Sequence, residues 1–570
     1  MIEDVYEPLA QYRDVFKGTF AVKTREAFEA LLKESGVDAA ANRALCARIR
    51  ELEKTAAAAR GRASGYGCGF ALACLAVVAA GVGLYLQDCI STMIWPYCLA
   101  VLGGVAPLGC WLWRRRSDIK TRLAKLETSL RELKQRAKDQ LEPLNRLYTW
   151  EIPLRLVEAT VPRLAFDPYF TARRLADLRR LCGWNDAFSE GKSIVGAQSG
   201  VINGNPFVFG DYVDQTWGEK VYSGSIEISW LDEETDEKGR VHLVRRHETL
   251  TATVTKPIPV YGRHKFLVYG NDAAPNLVFT RRPSELSAAE DGWLARWRKR
   301  RELKKLERFS RNLEDASQYT LMANHEFETL FQTRDRNHEV EYRLLFTALA
   351  QQQMLLLLKD RTVGFGDDFF FVKRRKINLL RSRHLDEAVI DTAPSRFVNW
   401  DLEAARETFQ SFNEAFFKNV YFSLAPILAI PLYQQTRPHA DIWRGIVEND
   451  QPSFWEFESL ANYYGTASFR HPSCVTDCLL KTRVVETSDD AARVAVTAHG
   501  YRIEERVDYK TVYGGDGNLH EVPVEWDEYI PVENTREMFV SVKSQPGERF
   551  EQAFNMSGNS VFRRLIRSYL

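Results

Sequence analysis

The sequence lacks any excess of charge of one sign: 77 Lys and Arg stand against 76 Asp and Glu, a formal net charge of +1. Bulk electrostatics therefore give no reason to expect a nucleic-acid or strongly acidic partner, and any charge signal must be local. A secreted-type cysteine framework is missing too. Of nine cysteines, Cys68, Cys74, Cys89, Cys98 and Cys110 lie in or beside two apolar runs, while Cys46, Cys182, Cys474 and Cys478 are scattered. That distribution reads as reduced, buried thiols and not as disulfides. No disorder-type composition dominates any long stretch. The opening Met1-Ile2-Glu3-Asp4 is acidic with no apolar run behind it, so no cleavable signal peptide is expected.

What is present begins with length. At 570 residues the chain exceeds one ordinary hydrophobic core, so two or three folded units are expected besides any membrane segment. Residues 66–86 read YGCGFALACLAVVAAGVGLYL and residues 92–113 read TMIWPYCLAVLGGVAPLGCWLW, both without a charged residue. At ~1.5 Å per helical residue each spans roughly 30 Å, the thickness of a bilayer hydrocarbon core. The connection Gln87-Asp88-Cys89-Ile90-Ser91 permits only an antiparallel turn, so the two runs are expected to form a transmembrane hairpin.

The flanks orient it. Arg48, Arg50, Lys54, Arg60 and Arg62 precede the first run, Arg114, Arg115, Arg116, Lys120 and Arg122 follow the second, and the connection has no Lys or Arg. The positive-inside rule then places both termini in the cytoplasm of a multi-pass protein of the cell membrane. Trp95, Trp111, Trp113, Tyr66 and Tyr85 suit the interfacial layers, and Ala76, Ala80, Ala100 and Gly104 suit close helix approach. Neither run holds an ionisable group of the kind a proton or ion pathway requires, which disfavours a transporter. A pore built by oligomerisation stays as an alternative.

Beyond the second run, Ile119, Leu123, Leu126, Leu130, Leu133 and Ala137 recur at heptad spacing, continued by Leu141, Leu144 and Tyr148; Leu45, Ile49, Leu52, Ala56 and Ala59 do the same before the first. The arms are expected to zip into an antiparallel coiled-coil stalk, with a bundle across two chains as the competitor.

Residues 193–282 alternate with period two and carry the turn signals Asn203-Gly204 and Asp236-Glu237-Lys238-Gly239, which predicts antiparallel sheet with a long hairpin between the runs 220–230 and 248–255. Residues 293–308, WLARWRKRRELKKLER, form a helix with eight basic residues. Trp293, Leu294, Trp297, Leu303 and Leu306 would make its apolar side. Trp293, Trp297, Arg298, Arg300, Arg301, Lys304 and Lys305 are therefore candidate lipid-binding residues on an anionic surface; a solvated surface helix is the plain alternative, and nucleic acid is not expected.

Residues 327–378 read as strand, helix, glycine turn and strand. Phe327 to Thr333 with Asp335, Glu339, Tyr342, Leu344-Leu345-Phe346-Thr347, the Met354-Leu355 helix end and the strand Phe369 to Val372 resemble the shared core of an uncharacterised family of bacterial two-span membrane proteins. The order of parts is similar: helical arm, two-span hairpin, cytoplasmic αβ domain. The resemblance covers about a tenth of the chain and brings no activity. Residues 420–433, VYFSLAPILAIPLY, are too short to span a bilayer and read as buried core. Strands are expected at 483–485, 493–497, 501–512 and 522–529, with Gly514-Gly515-Asp516-Gly517 as a hairpin turn.

Candidate chemistry is thin. Gly364-Phe365-Gly366-Asp367-Asp368 lacks the lysine and context of a P-loop and reads as a tight turn. His471, Cys474 and Cys478 offer three potential zinc ligands without a second cluster. His325, Asp335 and His338 near Glu339 and Glu341 suit a helix cap better than acid–base work. No cofactor, metal or catalytic residue is assigned.

The expected fold class is α+β: a transmembrane helical hairpin extended by a coiled-coil stalk, with cytoplasmic antiparallel-sheet α+β domains. The expected parts are an N-terminal helical arm (1–65), the hairpin (66–113), a second coiled-coil arm (114–150), a β-rich domain ending in the basic helix (151–320), an α/β domain resembling the family core (321–415) and a C-terminal α+β unit (416–570). The expected role is a membrane-anchored cytoplasmic binding or scaffold module, with the lipid bilayer, a protein or peptide and possibly a second copy as partners. A membrane-bound enzyme with a dispersed site and an oligomeric channel are the alternatives.

Overall fold

A computed structural model describes residues 5–85, 95–235, 241–284, 286, 293–311, 319–364, 366–436, 450–488, 491–542, 560–563 and 566–570. The expected turns at 87–91 and 236–239 fall outside them. The chain divides into two compact units: Met1–Thr24, Thr149–Ala393 and Asn413–Leu570 form one, Arg25–Tyr148 and Pro394–Phe412 the other.

After the short helical segments Pro8–Gln11 and Tyr12–Phe16 come three long helices: α1 (Lys17–Ser35), α2 (Ala39–Tyr85) and α3 (Trp95–Asn145). Gly36, at φ +64, ends the first, and the Asp38 carboxylate starts the second by accepting from the backbone N–H groups of Ala40 and Ala41 at 2.9 and 3.1 Å. In the smaller unit α2 and α3 run antiparallel. Lys134 reaches Glu53 at 2.6 Å, Arg60 reaches Glu127 at 2.7 Å, and Tyr66 meets Trp111 edge-on at 6.0 Å. Ile49, Ala56, Leu130 and Ala137 are buried between the helices, flanked by Leu45, Leu52, Leu123 and Leu133. All eight are apolar positions of the heptad-spaced arms.

The larger unit is α+β, with two antiparallel sheets. The first has seven strands, β1 (Leu164–Phe166), β2 (Lys192–Ile202), β3 (Asn205–Thr235), β4 (Val241–Gly270), β5 (Val278–Arg281), β6 (Phe369–Arg374) and β7 (Ile377–Ser382), in the order β1-β2-β3-β4-β7-β6-β5. The second has β8 (Leu479–Thr487), β9 (Ala491–Tyr513), β10 (Leu519–Val542), β11 (Ser560–Arg563) and β12 (Ile566–Tyr569), in the order β11-β12-β10-β9-β8. The predicted Asn203-Gly204 turn joins β2 to β3, both residues taking positive φ. The first sheet draws strands from both sides of the expected boundary at 320/321, because β5 pairs with β6 across that stretch.

Further helices include α4 (Ala172–Cys182), α5 (Trp293–Arg311), α6 (His325–Phe331), α7 (Glu339–Leu345), α8 (Ala348–Lys359), α9 (Leu402–Leu428) and α10 (Phe454–Tyr464). Helix α10 lies between the sheets: Trp455 packs with β2 to β4 residues such as Ile194, Val208 and Phe266, while Phe457, Leu460 and Ala461 pack with Leu480, Val494 and Val540. The apolar run at 420–433 is buried as read, with Tyr421 and Tyr433 sealed from solvent. Residues 327–331 are helix, where a strand was expected. The Asn324 side chain accepts from the Phe327 N–H at 3.1 Å, and Phe327, Leu330 and Phe331, at helical spacing, are buried.

Strands β3 and β4 pair without interruption from Phe207↔Tyr269 to Thr235↔Val241, although β2 accompanies β3 only to Asp214 and β7 accompanies β4 only at Leu267–Gly270. The remainder is a two-stranded ribbon, roughly 70 Å long at ~3.3 Å per residue. Strands β9 and β10 form a second ribbon, and the two pack face to face through Leu250, Ala252, Val254, Val522 and Val524. The two runs expected at 493–497 and 501–512 are one strand. Gly500 bridges them because a Cβ there would stand 2.5 Å from Cys474 Sγ.

At Gly224 the ribbons touch so closely that a Cβ would lie 1.9 Å from the Pro523 carbonyl oxygen. Gly224→Ala is therefore expected to destabilise the chain by ~1–3 kcal/mol through overpacking. Gly18→Ala, whose methyl meets nothing within 4 Å in a helix, is expected to stabilise by up to ~1 kcal/mol. Urea unfolding midpoints of the two variants check both signs.

Candidate membrane interface

In the smaller unit the apolar half of α2 faces outward. The helix stretch Ala39–Ala80 holds a window long and apolar enough to cross a membrane: the mean hydropathy of that window is 1.7, and only 17% of it is buried. Leu72, Leu75 and Val78 are exposed, as are Leu108, Trp111 and Trp113 on α3. Each forfeits part of the about 1.5–3 kcal/mol that full burial of a Leu or Val side chain contributes. Of the second expected span, residues 92–94 lie outside the described residues. Among the described residues α2 alone meets the length and composition test.

In the larger unit α5 carries the candidate lipid-binding residues. The helix has two faces. Leu306 is 1% exposed and packs with Tyr319, Phe309 and Leu321; Leu303 is half-buried on the same side. Glu302, also half-buried, pairs with Arg334 and with Lys305, the latter at 2.9 Å. Trp293, Leu294 and Trp297 point elsewhere: the two indoles are 71% and 53% exposed. Arg298, Arg300, Arg301, Lys304 and Lys305 are exposed too, and the Arg301 guanidinium lies 5.5 Å from the Trp297 ring centre. The single apolar side read from the sequence is thus two sides, since at ~100° per residue Leu306 falls opposite Trp297 and well around the helix from Trp293, with Leu303 between.

The other candidates are built into the fold. His338 Nδ1 accepts from the Glu341 N–H at 3.2 Å, and Asp335 Oδ1 accepts from the Thr280 N–H at 2.8 Å. Cys474 and Cys478 are buried with sulfurs 3.5 Å apart, and burial pushes the Cys478 thiol up to about 12. His471 turns into its own loop, where Nδ1 meets the Ser473 N–H at 3.2 Å. Among the described residues no group of three or more His, Cys, Asp or Glu is placed to hold a metal ion.

Half-buried Asp368 and buried Lys373 stand in surroundings that the sequence does not reveal. Asp368, in the glycine turn, sits 3.7 Å from His384 Nε2. That nitrogen donates to the Gly364 carbonyl oxygen at 2.9 Å, and Nδ1 lies 3.1 Å from Asn419 Oδ1. Burial raises Asp368 from 3.8 to about 6, against the pull of His384 and Arg281 and with the push of Asp367. Lys373, fully buried, donates to the Ala273 carbonyl oxygen at 3.0 Å, and burial lowers it from 10.5 to about 7. Period-two spacing from Phe369 and Phe371, both buried, marks Lys373 as inward-facing. A cavity of about 170 Å³ lined by Gln215, Tyr261, His499, Tyr501 and Glu533 is smaller than the ~300–1,000 Å³ of ordinary ligand sites.

No family model, curated protein or solved structure matches the chain.

The two groups titrate in opposite senses. With its folded pKa above the unfolded value, Asp368 contributes stability that is complete below about pH 4 and lost as pH rises through about 6. Lys373, with its folded pKa depressed, costs stability that is regained as pH rises from about 7 toward 10.5. Asp368→Asn is expected to flatten the first interval of a stability–pH curve and Lys373→Met the second. Melting temperatures across the two intervals test this, and a slope unchanged by its own variant contradicts it.

Proposed function

We propose that this chain is a membrane-anchored binding module whose larger α+β unit works on the cytoplasmic side. The observation that carries the reading is the outward-facing apolar half of α2, an anchor that a water-soluble protein would bury. Residues 66–86 and 92–113 form a two-span hairpin, the arms before and after it zip into an antiparallel coiled coil, and the flanking arginines keep both termini inside. The residue likeness of 327–372 to the bacterial two-span family points the same way.

The binding surface of this module is the pair of β-ribbons. Beyond β2 and β7 the outer edges of the first ribbon are unpaired among the described residues, and its far end exposes Leu231, Val241 and Leu243. Unpaired strand edges with pockets for alternate side chains are the elements by which β-augmentation captures an extended peptide. A protein or peptide partner, or a second copy of the chain, fits that edge.

Fractionation of cells making the tagged full chain tests the anchor. The protein is expected in membranes after an alkaline wash and in solution only with detergent, while deletion of residues 66–113 releases it. A C-terminal tag is expected to be reached by protease only after permeabilisation. Native material that is soluble without detergent would sink the reading. For the ribbon, a photo-crosslinking residue in place of Leu243 is expected to capture a discrete partner in cells, and recovery of the lone chain counts against it.

A further inference from the structure

We infer that α5 docks flat on an anionic lipid surface through the face bearing Trp293, Leu294 and Trp297. Proximity to lipid rests on the membrane-anchored reading, while the chemistry of the face stands on its own.

The helix is already fixed to its unit on one side. Leu306 and Phe309 close over Tyr319 and Leu321, the Ser310 hydroxyl accepts from the Leu321 N–H at 3.4 Å, and Glu302 holds Arg334. What this leaves outward is ordered by helical geometry. Around the exposed indoles stand Arg298, Arg300, Arg301, Lys304, Lys305 and Arg308, all exposed. Lys305 has a carboxylate within reach, Glu302. A solvated helix gains nothing from two exposed indoles, whereas an interfacial one places them at headgroup depth. The basic side chains then meet phosphate oxygens, and their long apolar stems lie along the acyl boundary.

Charge decides the occupant. A neutral bilayer would satisfy the indoles but leave the cations without counter-charge. An acidic protein surface would satisfy the cations but not two protruding indoles. An anionic leaflet satisfies both, each basic group adding to the attraction and salt weakening it.

The test uses the full chain with vesicles of phosphatidylcholine alone or mixed with phosphatidylglycerol, followed by flotation and by amide hydrogen exchange across residues 293–301. Flotation with the neutral vesicles reports the anchor independently of α5. Exchange is expected to be about tenfold slower or more in the anionic vesicles, to recover in high salt, and to lose its lipid dependence in the double variant Trp293→Ala, Trp297→Ala. Both indoles are exposed, so that variant keeps the fold; a second variant, Arg298→Glu with Arg301→Glu, is expected to act alike. If the anchor fails, the chain is expected to float with anionic vesicles only, through α5. Equal exchange in the two lipids overturns the proposal, as does protection by an acidic peptide or DNA without protection by anionic vesicles.

Discussion

The carboxylate of Glu458, sealed inside α10, is the point on which the two sheets are hung. One oxygen accepts from the Ile194 N–H of β2 at 2.9 Å, and the other lies 2.7 Å from Lys481 Nζ of β8. Burial raises this carboxyl while Lys481 pulls it back toward the charged form. Asn462, one turn on, donates to the Ser193 hydroxyl and the Ile194 carbonyl oxygen at 2.9 Å each. Breaking a buried pair by removing one partner typically costs about 3–5 kcal/mol, because the remaining charge is left in an apolar setting. Here the loss would also unpin β2 from β8, since nothing covalent holds one sheet to the other at that point.

That pin explains the ribbons. An isolated two-stranded hairpin is marginal in water, yet β3 with β4 and β9 with β10 extend well past their sheets. Each supplies the other's missing layer. With the sheets held by α10, the alternating inward residues Leu250, Ala252 and Val254 meet Val522 and Val524, and Lys256 pairs with Asp508 at 2.7 Å. At the tip the Gly515 N–H donates to Glu248 at 2.7 Å, so the shorter ribbon is secured where its turn ends. The first ribbon continues past this point and keeps its edges unpaired among the described residues.

Much of this order was written locally. The ribbon strands and the Asn203-Gly204 and Gly514–Gly517 turns follow from period-two alternation and from residues that tolerate positive φ, and the apolar cluster between α2 and α3 draws on positions marked by their spacing. What stayed hidden depends on partners far along the chain. Residues 327–331 carry aromatic and β-branched side chains that suggest a strand; the Asn324 cap and the aromatic cluster around Phe279 and Phe346 make them helix. Asp368 looked like a turn residue because His384 beside it, and Asn419 which that histidine meets, are distant in sequence. Leu303 and Trp297 are both apolar, and only the packing of Leu306 on Tyr319 decides which side of α5 faces the protein.

The buried charges sharpen where function should be sought. Arg336 lies between the rings of Tyr319 and Tyr342, at 4.2 and 4.1 Å from their centres, and its donors are taken up by Glu328, Glu339 and the Thr320 carbonyl oxygen. Arg281 is paired with Asp367 and lies 4.2 Å from the Phe369 ring centre. Such guanidinium groups hold α6, α7 and the β5–β6 edge in register, and a group already bonded on several sides has little to offer a substrate. The side chains that folding leaves unmatched are of another kind: apolar residues along α2 and at the ribbon end, and indoles among cations on α5. Surfaces like these lower their free energy by covering themselves with lipid or with another chain.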